Sequence, residues 1–178
     1  MLIKRFLVLF LILSSHPLLA LKAEEKIISY EENMLLAKDP AESVVLVGGC
    51  FDLLHYGHVD FLQKAKAQGD VLVVALESDE NIKRRKQKTP FHTQGQRAYI
   101  LASLDSVDKV ILLPALKTYE DYLLLVKRVK PATIATTSEN PYLDKLQQQA
   151  KEVNATVKVV NLKIPGLSST ALKKYLTD

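Results

Sequence analysis

Two histidines close a glycine-led stretch of the chain: Gly48-Gly49-Cys50-Phe51-Asp52-Leu53-Leu54-His55-Tyr56-Gly57-His58. Glycines at the end of a strand let the backbone come close to a ligand. The first amides of a helix starting near Gly57 would offer donors to a phosphate. The two imidazoles add hydrogen-bonding or cationic tips at the same spot. These residue types in this order suit a site that handles phosphate. A single histidine is more often structural, so the pairing after a Gly-rich strand end carries the reading. Cys50, His55 and His58 could instead hold zinc, which would require a fourth ligand. Cys50 by itself reads as a small buried residue. As the only cysteine, it excludes an intrachain disulfide.

The elements that must position this loop are legible as alternating patterns. Short apolar runs, rich in Val and Ile, occur at Val44 to Val47, Val71 to Leu76, Val110 to Leu113, Thr133 to Ala135 and Val157 to Val160. Runs without polar alternation predict strands buried on both faces, hence a parallel sheet covered by helices. Between them, Tyr119, Tyr122, Leu123 and Val126, and then Leu143, Leu146 and Ala150, recur at helical spacing. The expectation is a Rossmann-like three-layer α/β domain with a five-stranded parallel sheet. Ligands of such folds sit beyond the carboxyl ends of the strands, where the histidine loop falls.

Composition sets the outer limits. With 178 residues, 48% apolar and 25% charged, the chain has the make-up of one globular domain, which excludes a disordered, collagenous or coiled-coil protein. The formal charge of +4 falls to +1 without Lys4, Arg5 and Lys22, which gives no support to nucleic-acid binding. Those cations belong to residues 1–23, where Lys4-Arg5 precedes the apolar run Phe6 to Leu13, a Ser-Ser-His-Pro break containing His16, and small residues at Ala20 and Ala23. This is the pattern of a signal peptide or membrane anchor. As a helix, Phe6 to Leu21 would reach about 24 Å, short of a roughly 30 Å hydrocarbon core. A translation start at Met34 is the third reading. Residues 24–42 are expected to be a linker or short helix, and 43–178 the folded domain.

The loop Gly49-Cys50-Phe51-Asp52-Leu53-Leu54-His55-Tyr56-Gly57-His58 resembles the G-x-F-D-x-x-H-x-G-H signature of the cytidylyltransferase-like nucleotidyltransferases. The likeness continues through Ala65 to Asp70, Glu77-Ser78-Asp79, Arg97 and Ser106 to Val110. It ends in Gly166-Leu167-Ser168-Ser169-Thr170, similar to the family's G-I-S-[ST]-T. Lys86 to His92 and Arg97 look most like glycerol-3-phosphate cytidylyltransferase, while the short chain also suits heptose-phosphate adenylyltransferases.

The resemblance implies transfer of CMP or AMP from CTP or ATP to a phosphorylated alcohol or sugar, with release of pyrophosphate. On that pattern His55, His58 and Lys66 would be catalytic, neutralising phosphate charge. Gly49, Cys50, Phe51, Ser168, Ser169 and Thr170 would bind the nucleotide, and Arg97 and Lys163 the acceptor or a phosphate. Mg²⁺ would bridge phosphate oxygens without a protein cage, and a homodimer is implied. The chemistry needs a cytoplasmic supply of triphosphate, whereas residues 1–23 point to export or anchoring.

Several readings stay open. Arg97 could be a surface salt bridge, Lys66 a solvated lysine, His92 an ordinary loop residue and Ser168 only a helix cap. Lys83-Arg84-Arg85-Lys86 with Lys88 reads equally as a basic loop over the triphosphate or as a solvated helix end. Asn154-Ala155-Thr156 fits a glycosylation sequon. Ala135 to Asn140 lacks the Gly and Asp that the family places there, and Lys163 stands where several relatives carry Arg. The altered loop at Thr136 to Asn140 and the export signal favour the alternative of a relative that binds a nucleotide or phosphometabolite without turnover.

Overall fold

The computed structural model describes residues 23–30, 36–37, 39–161 and 172. Its strands are β1 (Ile27–Ser29), β2 (Val44–Gly49), β3 (Val71–Leu76), β4 (Lys109–Leu112), β5 (Thr133–Thr137) and β6 (Thr156–Asn161). Its helices are α1 (Tyr56–Lys66), α2 (Asp79–Lys86), α3 (Gln94–Ala102), α4 (Tyr119–Val129) and α5 (Leu143–Lys151). All strand pairs are parallel, in the order β1-β4-β3-β2-β5-β6.

The five apolar runs each become a strand, but the described sheet has six. The additional one is β1, inside the segment expected to be a linker or short helix. Three residues are too few to show a period, and what makes them a strand is tertiary: they pair with β4, and the Val110 amide donates to the Lys26 carbonyl at 2.8 Å.

The sheet has two covered faces because adjacent side chains of a strand point to opposite sides. Val45, Val47, Leu72, Val74 and Leu76 pack under α1 and α3 with Phe61, Leu62, Ala65, Ala98 and Leu101. Val44, Leu46, Val71, Val73 and Ala75 pack under α4 and α5 with Leu125, Val126, Val129 and Ala150. Burial on both faces is the reason β2 and β3 read as unbroken apolar runs.

The helix starts are fixed locally. Ser78 accepts from the Asn81 amide at α2, and Thr93 with Gln96 and Thr118 with Asp121 form reciprocal caps at α3 and α4. Among the described residues no helix is long and apolar enough to cross a membrane. The segment expected to be a signal peptide or anchor, residues 1–23, lies outside the described residues except for Ala23, which is buried in the core.

Candidate active site

The order of the strands puts β2 at the centre, with β3 on one side and β5 on the other. After β2 the chain enters α1 on one face of the sheet, and after β5 it enters α5 on the other, so a crevice opens at the carboxyl ends between them. The histidine loop lies on the α1 side of that crevice.

Its shape depends on Gly49 and Phe51. Phe51 has φ 45°, a left-handed conformation uncommon for a non-glycine residue, and its ring is buried over Gly49. A Cβ on Gly49 would come within 2.7 Å of that ring. The ring edge also reaches His58, with centroids 5.3 Å apart. His55 and His58 stack on each other at 3.9 Å with planes inclined by 24°. His55 is the N-cap of α1 but its side chain caps nothing, and the first turn holds no acidic residue. A helix start left this way keeps its affinity for anions.

Protonation of the pair is disfavoured. Burial lowers the pKa of His55. His58 is lowered further, to about 4, first by burial and then by the charges of His55 and Lys86, with the backbone at Leu53 partly opposing. Both imidazoles are therefore neutral at pH 7 while no anion is near. By geometry the Nδ1 atoms of both rings are buried without a hydrogen-bond partner, and His58 has only its interaction with the Leu53 backbone.

Two further residues hold the loop. Asp52, 8% exposed, accepts from the amides of Phe91 at 2.7 Å and His92 at 3.2 Å. Arg97 is buried at the core side of α3 and donates to the carbonyls of Cys50, His92 and Glu77 and to the Asp79 carboxylate. Its fork thus ties together the ends of β2 and β3, the start of α2 and the loop before α3. Arg97, expected at a substrate phosphate or in a surface ion pair, is in this conformation an internal brace. Four of its five N–H groups are engaged within the protein.

Of the expected catalytic residues the structure brings together His55 and His58, but not Lys66. Lys66 is eight residues beyond His58 on α1, about 12 Å along the axis. There it pairs with Asp108 at 2.6 Å and with the Asp70 carbonyl. Asp108 also accepts from the Leu72 amide at 2.7 Å, so the pair fastens the end of α1 to the amino ends of β3 and β4. The helix that delivers the histidines to one edge of the sheet must carry its last turn to the other. Lys163, Ser168, Ser169 and Thr170 lie outside the described residues.

Among the described residues, Lys86 is the lysine whose positive charge lowers the pKa of His58. It belongs to the basic run, which forms the last turn of α2 before Gln87 turns left-handed at φ 50°. The sequence left this run open between a basic loop over the triphosphate and a solvated helix end, and did not single out Lys86 within it. Asp52 was visible within the motif, but that it binds the loop 39 residues away was not.

Comparison with known proteins agrees with the geometry. Residues 46–175 match the family model described as cytidylyltransferase-like. The chain is 39% identical over 153 residues to the bifunctional protein HldE of a Nitratiruptor species, covering 84% of this chain and 31% of that one. It is 44% identical over 98 residues to HldE of Geobacter metallireducens, covering 54% and 19%. It spans less than a third of the length of these bifunctional relatives. Among solved structures, the lipopolysaccharide core biosynthesis protein from Thermoplasma volcanium is similar at a TM-score of 0.57 and 30% identity, over 69% of this chain and 98% of that one. Pantoate-beta-alanine ligase from Francisella tularensis, at 22% identity and a TM-score of 0.57, over 79% of this chain and 67% of that one, shares the fold. Motif, parallel sheet and matched length converge on one assignment: the chain belongs to the cytidylyltransferase-like family of nucleotidyltransferases.

Proposed function

We propose that this chain transfers a nucleoside monophosphate from a nucleoside triphosphate to a phosphorylated sugar or alcohol, releasing pyrophosphate. The observation that carries the reading is the stacked pair His55 and His58, at the uncapped start of α1 beside the Gly48-Gly49 strand end. Similarity to HldE proteins and to a lipopolysaccharide core biosynthesis protein favours ATP and a sugar phosphate of the heptose type over CTP and glycerol 3-phosphate.

An oxygen of the acceptor phosphate attacks the α-phosphorus. The bond from that phosphorus to the bridging oxygen breaks, and the electron pair leaves with pyrophosphate. The attacking oxygen is already anionic at neutral pH, so no general base is required. The protein's work is to position two anions against each other and to stabilise the charge of the crowded phosphorus. His55 and His58 donate hydrogen bonds to the phosphates, and a bound triphosphate draws a proton onto His58 by raising its pKa. Lys86 adds a fixed positive charge at the same place. Gly49, Cys50 and Phe51 shape the backbone against the nucleotide, with Arg97 and Asp52 keeping that backbone in register. Ser168, Ser169 and Thr170 remain the proposed hydroxyl and amide contacts of the outer phosphates, and Lys163 the proposed contact of the acceptor or a phosphate.

Among the described residues no group of three or more His, Cys, Asp or Glu side chains could hold a metal ion. Mg²⁺ would be carried mainly by phosphate oxygens, where its chemistry would be to neutralise their charge.

The test is pyrophosphate release by the full chain with Mg²⁺, ATP or CTP, and a panel of heptose 1-phosphate, glucose 1-phosphate and glycerol 3-phosphate. Release is expected with ATP and a sugar phosphate. No release from any pair, with nucleotide still raising the melting temperature, would replace this reading by one of binding without turnover.

A further inference from the structure

The far wall of the crevice is built from residues that the phosphate chemistry at His55 and His58 leaves unused. Glu77, the first residue after β3, is only 7% exposed. Its Oε1 accepts from the Tyr122 hydroxyl at 2.7 Å and from Arg85 at 3.2 Å, and its Oε2 accepts from the Asn81 side-chain amide at 2.8 Å. Asn81, itself buried, donates also to the Leu116 carbonyl and accepts from Arg84 at 2.6 Å. A buried carboxylate with three donors is a fixed anchor, because losing any one of them leaves charge unpaired in a poorly solvated place.

What this anchor holds in the open is Arg85. Its guanidinium lies 4.9 Å from the centroid of the Tyr142 ring, at the start of α5. Glu77 follows β3, Tyr142 follows β5, and β2 runs between these strands. Arg85 therefore reaches across the carboxyl end of β2, the strand that delivers the histidine loop. The next residue, Lys86, acts on His58. Arg85 and Tyr142 nevertheless keep 38% and 44% of their surface exposed. The preceding loop turns inward on itself: Asn140 donates to the Thr136 hydroxyl at 2.8 Å and accepts from the Tyr142 amide at 2.9 Å. Tyr142 is thus the side chain that this altered loop offers to the crevice.

We infer that Arg85 and Tyr142 are the acceptor-recognition wall, Arg85 pairing with the acceptor's phosphate and the Tyr142 ring supporting its sugar or polyol carbons, with Glu77 holding Arg85 in place. The inference rests on the transfer reaction proposed above and names the residues that select its second substrate. A guanidinium fork matches a phosphate in shape and charge. An aromatic face matches the apolar C–H face of a sugar ring. The triphosphate already meets His55, His58 and the neighbouring Lys86, which leaves the Arg85 fork for the phosphate of the second substrate.

The test uses the full chain and its Arg85→Leu, Arg85→Lys and Tyr142→Ala variants, each checked for an unchanged circular dichroism spectrum. Pyrophosphate release and calorimetric binding are measured with ATP or CTP and with heptose 1-phosphate, glucose 1-phosphate and glycerol 3-phosphate. Arg85→Leu and Tyr142→Ala are expected to raise the acceptor KM or Kd tenfold or more while the triphosphate constant moves less than threefold, and Arg85→Lys to recover part of the loss. An unchanged acceptor constant, a shift in the triphosphate constant instead, or no binding of any of the three phosphates to the wild-type chain overturns the inference. Arg85-dependent acceptor binding without pyrophosphate release would leave it standing and remove only the transfer reaction.

Discussion

Lys66 and Asp108 are joined at 2.6 Å at the amino-terminal edge of the sheet, while His58, on the same helix as Lys66, lies at the carboxyl edge. One helix therefore holds the sheet together at its last turn and presents the stacked histidines at its first. Lys66→Met is expected to lower stability by on the order of 1 kcal/mol, since both partners are about a third exposed. Per folded molecule, the triphosphate KM should be unchanged. Urea melts and initial rates on one preparation check both, and a tenfold rise in KM would return Lys66 to the site.

His58→Ala should lower turnover by about a hundredfold or more, the scale of losing a charge-stabilising donor in a transition state. The fold should persist, because the imidazole is a poorly satisfied group whose Nδ1 has no partner. Steady-state kinetics alongside a thermal melt separate the two effects.

The pH dependence has a definite sign. His58 is held at about 4 in the folded chain, against 6.5 for an unperturbed histidine. Between these values the unfolded chain binds the proton and the folded one does not, so stability falls as pH drops from 6.5 towards 4. This contribution is fully present above pH 6.5. Denaturant midpoints of the wild type and His58→Gln across that window should show the steeper loss in the wild type. A histidine NMR titration should show His58 moving upward when ATP or CTP binds.

Arg97→Ala is expected to cost about 3 kcal/mol, because it removes the buried donor shared by the carbonyls of Cys50, His92 and Glu77, while Asp79 is about a third exposed and keeps its bond from the Gln94 amide. Arg97→Lys should recover little, since an ammonium lacks the planar fork that reaches Cys50, His92 and Glu77 together. Chemical denaturation measures the loss. If Arg97→Ala kept full stability and raised only a substrate KM, the side chain would be a ligand contact and not a brace.

Five of the six described strands, and the chemical character of the loop after β2, are legible in the residues alone. Val71 to Leu76 reads as a doubly buried strand because every one of its side chains meets a helix layer. Gly48 to His58 reads as a phosphate loop because its demands are local: glycine under the Phe51 ring, two imidazoles and a helix start within eleven residues. Strand β1 is too short for a period and exists through its pairing with β4. The packing of the elements sets which cations serve the site. Lys66 and Lys86 are chemically alike, and the direction of α1 sends the first away from His58 while the close of α2 brings the second to it. Arg85, Glu77 and Tyr142 come from two loops and a helix end, and no local pattern joins them, because their meeting depends on β2 lying between β3 and β5. Short-range sterics and burial leave a periodic mark along the chain, whereas contacts made across the end of a sheet leave none.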